Sequence, residues 1–402
     1  MKAVHPGSRL FIVLLGVLTA MTALSIDITL PALPALTQDL HVGADRAQLT
    51  ISVFLFGFAG AQLFVGPASD RFGRKPLLLV GLFCYALAGF GCALSQSIEA
   101  LITFRCLQGM AACVGPVLGR AIVADHFSGP RAAQLLSALT VVLAVTPVVA
   151  PLLGGQLLRV LDWHAIFWAL GAIGLLLFAL VAVFLGESLQ TRAPDALRLG
   201  PIARNMGAFL ANSQCRTHAF IVLLSFAAQF SYISGFPFVA IEVFGVTPQQ
   251  YGFFPGATGI ALIIGATING RLVTRFPPAK LLTIGLFMLL GSGALLAVIT
   301  LLGGGLAAIF APLLIFVFGI GFVTPNATAA ALQPMAHAKG SASSVLGVFQ
   351  MLGGGLAGWA VNALYDGTAR PMALTVAILG ALALFAGSGR PRTAARDHVH
   401  LG

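Results

Sequence analysis

The sequence predicts an all-α integral membrane protein with twelve transmembrane helices in two six-helix halves, and its composition and apolar runs carry this prediction. Of its 402 residues, 58% are hydrophobic and only 8% are charged, against about 25% charged residues in an average soluble domain. Twelve apolar runs reach the roughly twenty residues that a helix needs to cross a bilayer. These runs begin near Arg9, Ala47, Lys75, Ile98, Ala132, Trp163, Thr217, Gln250, Ala279, Leu306, Ser341 and Pro371.

The basic residues are distributed unevenly between the two sides of the predicted membrane. With the N-terminus inside, 18 of the 22 Lys and Arg residues fall on the cytoplasmic side, 3 fall outside and Arg105 alone lies within a span. This positive-inside bias predicts that both termini are cytoplasmic. It also accounts for the net charge of +10 without nucleic-acid binding. The first run contains Asp27 and no small-residue cleavage site, so we expect a retained helix rather than a signal peptide.

A polar stretch in the middle divides the spans into six and six. We expect an N-terminal bundle over residues 1–186, a cytoplasmic connection over 187–216, a C-terminal bundle over 217–390 and a cytoplasmic tail over 391–402. Many transporters consist of two related halves around a central cavity. A shift of 199 residues relates Gly66 and Asp70 to Gly265 and Asn269, and Gly154-Gly155 to Gly353-Gly354. Two coincidences at one offset favour an internal duplication.

One carboxylate lies well inside an apolar run. Asp27 stands in the first predicted span, just before Pro31 and Pro34, which are expected to break the helix and free backbone carbonyls. A charge in the bilayer costs about 2.5–3.5 kcal/mol on insertion scales, so it normally faces a cavity or a partner. A carboxyl shielded from water binds a proton more readily, which predicts Asp27 as the proton-coupling residue. The alternatives are a salt bridge or a place at the outer rim.

One cation lies inside the fourth predicted span. The Arg105 guanidinium stays charged, so it can favour the charged form of a nearby carboxylate or organise polar side chains such as Gln108. We expect Arg105 and Gln108 to shape the electrostatics of the cavity. The alternative is a structural role in which Arg105 ties down backbone carbonyls. The five cysteines and eight histidines show no disulfide or metal-ligand spacing.

A charged loop between the second and third spans gives the first family resemblance. Its sequence is Gly66-Pro67-Ala68-Ser69-Asp70-Arg71-Phe72-Gly73-Arg74-Lys75, which resembles the loop signature between helices 2 and 3 of the major facilitator superfamily. Arg105 followed by Gln108-Gly109 is a second match. The resemblance implies a cytoplasmic latch of the outward-open state, in which Asp70 lies at the start of helix 11 near Ser341 and Arg74 pairs with Asp125. Arg71 belongs to the same expected latch. Alternatively, Arg71, Arg74 and Lys75 act mainly as positive-inside anchors.

The fifth predicted span carries a partial match to the antiporter signature of the same superfamily. Its residues are Pro147-Val148-Val149-Ala150-Pro151-Leu152-Leu153-Gly154-Gly155, in which Ala150 stands where the signature has Gly. Small residues allow close helix packing and prolines bend helices, as a sliding seam between two halves requires. The signature resemblance favours antiport. Small-residue faces also serve ordinary helix packing.

Four further segments make the chain similar to the Bcr/CflA branch, the bicyclomycin and chloramphenicol resistance exporters. This resemblance covers essentially the whole chain and implies a bacterial inner-membrane drug:proton antiporter. Among polar and aromatic candidates for the cavity wall, we predict substrate contacts for Tyr232 and Phe236. The segments are residues 27–34, 163–168, 230–242 and 340–344, and the wider set of candidates is Gln62, Gln108, Gln229, Asn326, Asn362, Phe54 and Phe58.

Three function classes compete. The first is proton-driven export of small organic molecules, with the proton gradient as energy source, no cofactor and a monomer in the lipid bilayer. The second is proton-coupled export or import of a metabolite such as an amino acid. The third is an intramembrane enzyme, which the sequence disfavours because it has no catalytic His or Ser pairing in a span. The sequence contains no Gly-rich phosphate loop ending in Gly-Lys-Ser/Thr. Direct use of ATP through such a loop is therefore not expected.

Overall fold

Twelve long helices run through the described part of the chain, six in each half. The computed structural model describes residues 5–192 and 199–388. In the first half the helices are α1 (Arg9–Asp39), α2 (Ala44–Phe72), α3 (Arg74–Ala93), α4 (Ile98–His126), α5 (Gly129–Leu157) and α6 (His164–Phe184). In the second half they are α7 (Ser213–Val243), α8 (Pro248–Leu272), α9 (Pro278–Leu301), α10 (Leu306–Met335), α11 (Lys339–Ala363) and α12 (Arg370–Ser388).

The helices agree with the predicted spans. Within the described ranges, 11 helices are long and apolar enough to cross a membrane. The 29-residue helix α5 occupies the place of the remaining predicted span, and the starts differ from the predicted ones by four residues at most. The all-α, twelve-helix membrane fold is therefore confirmed. The bounds of the two bundles stay a prediction, because nothing in the fold fixes where one independent unit ends.

The two halves repeat the same packing. In the first half α1 packs on α4 and α5, α2 packs on α4, and α3 packs on α4 and α6. In the second half α7 packs on α10 and α11, α8 packs on α10, and α9 packs on α10 and α12. Each pair of the first set becomes a pair of the second when six is added to both helix numbers. The six-plus-six pseudo-repeat predicted from the glycine spacing is present.

The halves meet along two seams. Helix α2 packs on α11, and α5 packs on α8. The outer part of α1 also contacts α7 and α8, where outer means the side that the Lys and Arg distribution predicts to be extracytoplasmic. Gly155 of α5 lies so close to α8 that an added side-chain carbon would be 2.6 Å from the Pro248 carbonyl oxygen. The outer ends of the two halves are therefore closed against each other.

The first helix changes course beside Asp27. Its regular α-helix covers Arg9–Asp27, a 3-10 turn follows at Leu30–Ala32, and a short α-helix covers Leu33–Asp39. Pro31 lacks the N–H that a continuous helix needs, which explains the break. The interruption expected from Pro31 and Pro34 is present, and it begins immediately after Asp27.

The stretch between the halves is more structured than the sequence indicated. The expected connection over 187–216 contains a helix, Leu199–Ala211, that contacts α7 and α11. Phe209 of this helix has no exposed surface. The polar composition of the stretch hid one amphipathic helix, which belongs by its packing to the second half. Residues 193–198 lie outside the described ranges.

Candidate functional site

A small cavity lies between the two halves, near the middle of the spans. Its volume is about 60 Å³, well below the roughly 300–1,000 Å³ of sites for drug-sized molecules. The outer ends of the halves are closed, and the cavity as it stands is too small for a drug-sized molecule, so binding one requires the halves to separate. The lining residues are Asp27, Leu30, Pro147, Gln229, Tyr232, Ile233, Tyr251, Pro255, Thr258, Gly259, Leu262 and Val317.

Asp27 is the acidic group of this cavity. It is 8% exposed, and it is the only acidic residue among the buried polar residues of the described chain. Its carboxylate has no salt bridge or hydrogen bond to the residues that the structure describes. The side chain therefore faces the cavity at the point where the α-helix ends, and neither a salt bridge nor a rim position accounts for it.

Arg105 holds the helix break in place from behind. After the break, the Thr29 N–H bonds to the Ile26 carbonyl at 3.1 Å, so the Ser25 carbonyl has no backbone donor and, within α1, accepts only a long contact from the Thr29 hydroxyl at 3.5 Å. The Arg105 Nη2 group donates to this Ser25 oxygen at 3.3 Å. A buried carbonyl without a partner is costly in a membrane, so Arg105 stabilises the bend that presents Asp27 to the cavity.

The remaining contacts of Arg105 reach α2 and its own helix, α4. Its Nε donates to the Thr50 carbonyl of α2 at 3.3 Å, and its Nη1 donates to Gln108 Oε1 at 2.8 Å. The guanidinium carbon lies 4.5 Å from the centre of the Phe54 ring, a favourable cation–π distance. Arg105 has no exposed surface and no carboxylate partner in the described chain. The structure thus places Arg105 among backbone carbonyls and Gln108, behind the cavity wall rather than in it.

Tyr85 is a hydrogen-bond partner of Ser25 that the sequence did not predict. Its hydroxyl lies 2.6 Å from Ser25 Oγ, which also donates to the Met21 carbonyl at 2.6 Å. The signal was present in the sequence, since Tyr85 carries the only tyrosine hydroxyl of the third apolar run. Its partner on α1 was not readable, because helix orientation decides which face of α3 meets α1.

Tyr232 and Phe236 occupy different positions. Tyr232 of α7 lines the cavity, and its hydroxyl lies 2.7 Å from Thr258 Oγ1 of α8. Phe236 has no exposed surface and does not line the cavity. It packs behind Tyr232, with its ring 5.3 Å from Phe254 and 5.6 Å from Phe310. Of the two predicted substrate contacts, only Tyr232 is placed where a cavity ligand would touch it.

The glycine pair of α5 lies beside both Asp27 and the second half. A side-chain carbon on Gly154 would meet the Ile28 carbonyl oxygen of α1, and one on Gly155 would meet α8. Pro147 lines the cavity, and Pro151 lies inside the helix one turn further along. The partial antiporter-like motif is thus placed at the contact of α5 with α1 and α8. No contact distinguishes antiport from ordinary close packing.

The charged loop forms an ionic network within the first half. Arg74 lies 2.5 Å from Asp70 and 3.1 Å from Asp125, and it also contacts the Ser69 hydroxyl. Asp125 accepts a further hydrogen bond from Ser188 at 2.7 Å. The expected Arg74–Asp125 pair is therefore present.

The contact expected between this loop and helix 11 falls partly outside the described chain. The side chain of Ser341 belongs to the residues that the structure does not describe. Arg71 lies over the Phe72 ring at 5.3 Å and has no acidic partner among the described residues. The Arg74 network joins α2, α3, α4 and the segment after α6, all in one half. As described, it braces that half.

Sequence comparisons agree with this architecture. The profile of the Major Facilitator Superfamily matches residues 15–358. An uncharacterized MFS-type transporter, YdgK of Bacillus subtilis, is 36% identical over 92% of this chain and 94% of its own. A bicyclomycin resistance protein homolog of Haemophilus influenzae is 31% identical over 91% and 92%, and the multidrug resistance protein MdtL of Escherichia coli is 29% identical over 93% and 95%.

Solved structures share the fold at low sequence identity. A bacterial homolog of the lysosomal transporter Spinster, in an inward-facing and occupied conformation, superposes with a TM-score of 0.75 at 17% identity over 95% of this chain and 98% of its own. A D-xylose–proton symporter gives 0.73 at 16% identity over 94% and 97%. With the family profile and the relatives of the Bcr/CflA type, these matches establish that the chain belongs to the Major Facilitator Superfamily of multi-pass membrane transporters.

Proposed function

We propose that this protein exports small organic molecules, drugs among them, across the bacterial inner membrane in exchange for protons. The observation that carries the proposal is the unpaired Asp27 carboxylate in the cavity between the halves. Relatives named for bicyclomycin and multidrug resistance support the substrate class. The protein acts as a monomer with both termini in the cytoplasm, and it uses the proton gradient without a bound cofactor.

A single carboxylate at this position couples two ligands by competition. An ionised Asp27 facing a small cavity costs about 2.5–3.5 kcal/mol on insertion scales, so the halves move when a proton, or a bound molecule that is cationic or donates hydrogen bonds to the carboxylate, compensates this cost. Asp27 loses its proton to the cytoplasm, the drug binds, and the halves rock outward. A proton from outside then displaces the drug. The protonated carrier returns with no uncompensated charge.

The proton gradient supplies enough free energy for this exchange. One proton moving through about 100 mV releases roughly 2.3 kcal/mol. That free energy supports about fiftyfold accumulation of a neutral substrate at one-to-one coupling, since about 1.4 kcal/mol corresponds to a factor of ten. One-to-one exchange with a proton is therefore enough to keep the internal concentration of a toxic compound well below the external one.

The test uses purified protein in liposomes that contain a pH-sensitive dye. With an inward-directed proton gradient, protons are expected to enter the vesicles as each transported compound leaves them. This proton entry changes the signal of the enclosed dye. Asp27→Asn removes the ionisable group while keeping the side-chain size, so substrate-dependent proton movement is expected to disappear. Asp45→Asn, at an exposed position in the first turn of α2, is the matched control and keeps the wild-type signal.

Two results would contradict the proposal. Full proton-coupled exchange by Asp27→Asn would remove Asp27 from the coupling role. Proton-coupled movement of amino acids or other metabolites, with no response to any drug, would replace drug export by metabolite transport. Both compound panels are therefore measured on the same vesicles.

A further inference from the structure

Apart from Gln108 Nε2 on α4 and His164 Nδ1 at the start of α6, the buried polar atoms without hydrogen-bond partners in the described chain all lie on one seam between the halves. These atoms lie on α2, α7 and α11, away from the Asp27 cavity, and have no hydrogen-bond partner within the described ranges. Their residues are almost completely buried, except that Gln62 is 6% exposed. The atoms are both amide atoms of Gln48, Ser52 Oγ, Gln62 Oε1, Ser234 Oγ and Asn362 Oδ1.

Three of these side chains meet at one glycine. A side-chain carbon added to Gly358 of α11 would lie 2.7 Å from Ser234 Oγ and 3.2 Å from Gln48 Nε2. The Asn362 amide donates to the Gly358 carbonyl at 3.0 Å, which leaves its own oxygen free. Gln48 comes from the first half, and Ser234 and Asn362 come from the second. We call this group of residues the Gly358 cluster.

The opposite seam between the halves has a different chemistry. There Val148 and Leu152 of α5 pack on Gly252 and Gly259 of α8, and none of the partnerless buried polar atoms of the described chain lies on α5 or α8. A pseudo-symmetric fold offers both seams the same packing, so polar residues on only one of them need a separate cause. Stability does not supply it, because leaving a buried amide unpaired costs more than an apolar residue of the same shape.

We propose that the Gly358 cluster is a binding site for an uncharged, hydrogen-bonding group of the transported molecule. This assignment rests on the proposed export function and names one substrate class for it. The site contains amides and a hydroxyl and no ionisable side chain, so it matches a hydroxyl or an amide, which donates and accepts at once. When α2 moves away from α11, the unpaired atoms of Gln48 and Asn362 become available to that group from both halves.

The site complements the Asp27 cavity across α7. Tyr232 points from α7 into the cavity, whereas Ser234, two residues later, lies at α11. Successive positions on a helix separated by two residues face nearly opposite sides. A permanent cation is recognised by the carboxylate alone, and an uncharged polar compound depends on the Gly358 cluster.

The experiment compares resistance to two kinds of compound in a drug-hypersensitive bacterium. One panel holds uncharged compounds with hydroxyl and amide groups, such as chloramphenicol. The other holds permanent cations without such groups, such as tetraphenylphosphonium. Gln48→Leu and Asn362→Leu are expected to lower resistance to the first panel by about fivefold, the size of one lost hydrogen bond, and to leave the second unchanged. Gly358→Ala is expected to do the same by filling the site.

The controls separate binding from folding. Gln156→Leu removes an exposed amide at the outer end of α5, and Gly291→Ala adds a methyl group where nothing lies within 4 Å. Both keep wild-type resistance. Retained export of tetraphenylphosphonium shows that each cluster variant is folded and inserted.

Three outcomes would overturn the assignment. Equal loss of resistance to both panels would mean that the cluster serves structure, and no loss would mean that water alone occupies it. If the wild-type protein gave resistance to the cations but not to the uncharged compounds, uncharged hydrogen-bonding molecules would be excluded as substrates. A wild-type protein that exported neither panel would instead contradict the export function and the site that rests on it, and this result is distinct from the other three.

Discussion

Arg105 is a buried cation whose described partners are all neutral. It donates to the carbonyls of Ser25 and Thr50 and to the side chain of Gln108. These three acceptors lie in different directions around one planar group, and only a guanidinium has donors that reach all of them. The guanidinium stays charged at any physiological pH, so these donors stay available to hold the helix break beside Asp27.

Arg105→Lys is therefore expected to destabilise the protein although it preserves the charge. A lysine ammonium also has three donors, but they sit on one nitrogen and cannot reach the acceptors that Nε, Nη1 and Nη2 of Arg105 contact separately. Each buried polar group left unpaired costs about 1–3 kcal/mol. Thermal unfolding in detergent, followed by size-exclusion chromatography, is expected to show a clearly lower melting temperature. Arg159→Lys, at an exposed position beside Gln156, is the control. Unchanged stability of Arg105→Lys would show that the guanidinium geometry is not needed.

Tyr232 and Thr258 join the two helices that form one wall of the cavity. Their oxygens lie 2.7 Å apart, and Thr258 also donates to the Pro255 carbonyl. A double-mutant cycle of Tyr232→Phe and Thr258→Val measured by reversible unfolding is expected to give a coupling of about 0.6 kcal/mol, the mean for such bonds within membranes. A coupling of zero would mean that the two hydroxyls do not bind each other.

Among single residues, the sequence predicted the charged site residues more reliably than it predicted which side chains contact each other. Asp27 and Arg105 stand out because an ionisable residue in an apolar run has a known cost. Phe236 was predicted beside Tyr232 as a substrate contact, yet it is buried behind it, because a residue four positions along a helix shares a side but lies at another depth. Gln48 and Ser234 were not singled out, since only the packing of α2 and α7 on α11 shows that they meet.

Within α5, two neighbouring glycines serve different contacts. Gly154 faces α1 of its own half, and Gly155 faces α8 of the other half. The sequence predicted a close-packed face from the small residues, but it could not assign each glycine to a partner helix, because that assignment depends on the rotation of α5. The break in α1 was predictable, since Pro31 and Pro34 prevent a regular helix wherever they stand.

Gly155→Ala is expected to open the outer end of the α5–α8 seam. The added methyl group would lie 2.6 Å from the Pro248 carbonyl oxygen, so backbone must move, and the movement separates the halves where this conformation closes them. Cysteine at Leu30, in the cavity wall, then reports access from outside. Labelling by a membrane-impermeant maleimide is expected to rise severalfold over the same protein with Gly155.

Gly291→Ala gives the reference for a methyl group in open space, and the protein without the added cysteine gives the background. Labelling that stays constant or falls in Gly155→Ala would show that this glycine does not control closure of the outer end.

Over the whole molecule, the duplication is visible in the packing and altered at the inner ends. In the first half, α2 and α4 are joined by the charges of Asp70, Arg74 and Asp125. In the second half, α8 and α10 are joined by neutral amides, with Asn326 donating to Asn269 at 2.7 Å. The 199-residue offset and the missing acid at Asn269 were readable from the sequence. The partner Asn326 was not, since it lies 57 residues further along the chain.

The packing predicts where the chain can be divided. Since each half contains the same five helix pairs, fragments 1–192 and 199–402 expressed together are expected to assemble, co-purify and transport. The cut removes only residues between α6 and the helix Leu199–Ala211, which contacts α7 and α11 through the buried Phe209. A second fragment that begins at Ser213 exposes the surface that Phe209 covers, so it is expected to give less complex and a lower melting temperature. Equal recovery from the two second fragments would show that the Leu199–Ala211 helix is a linker, as the sequence first indicated, and failure of both pairs to assemble would show that the halves fold only as one chain.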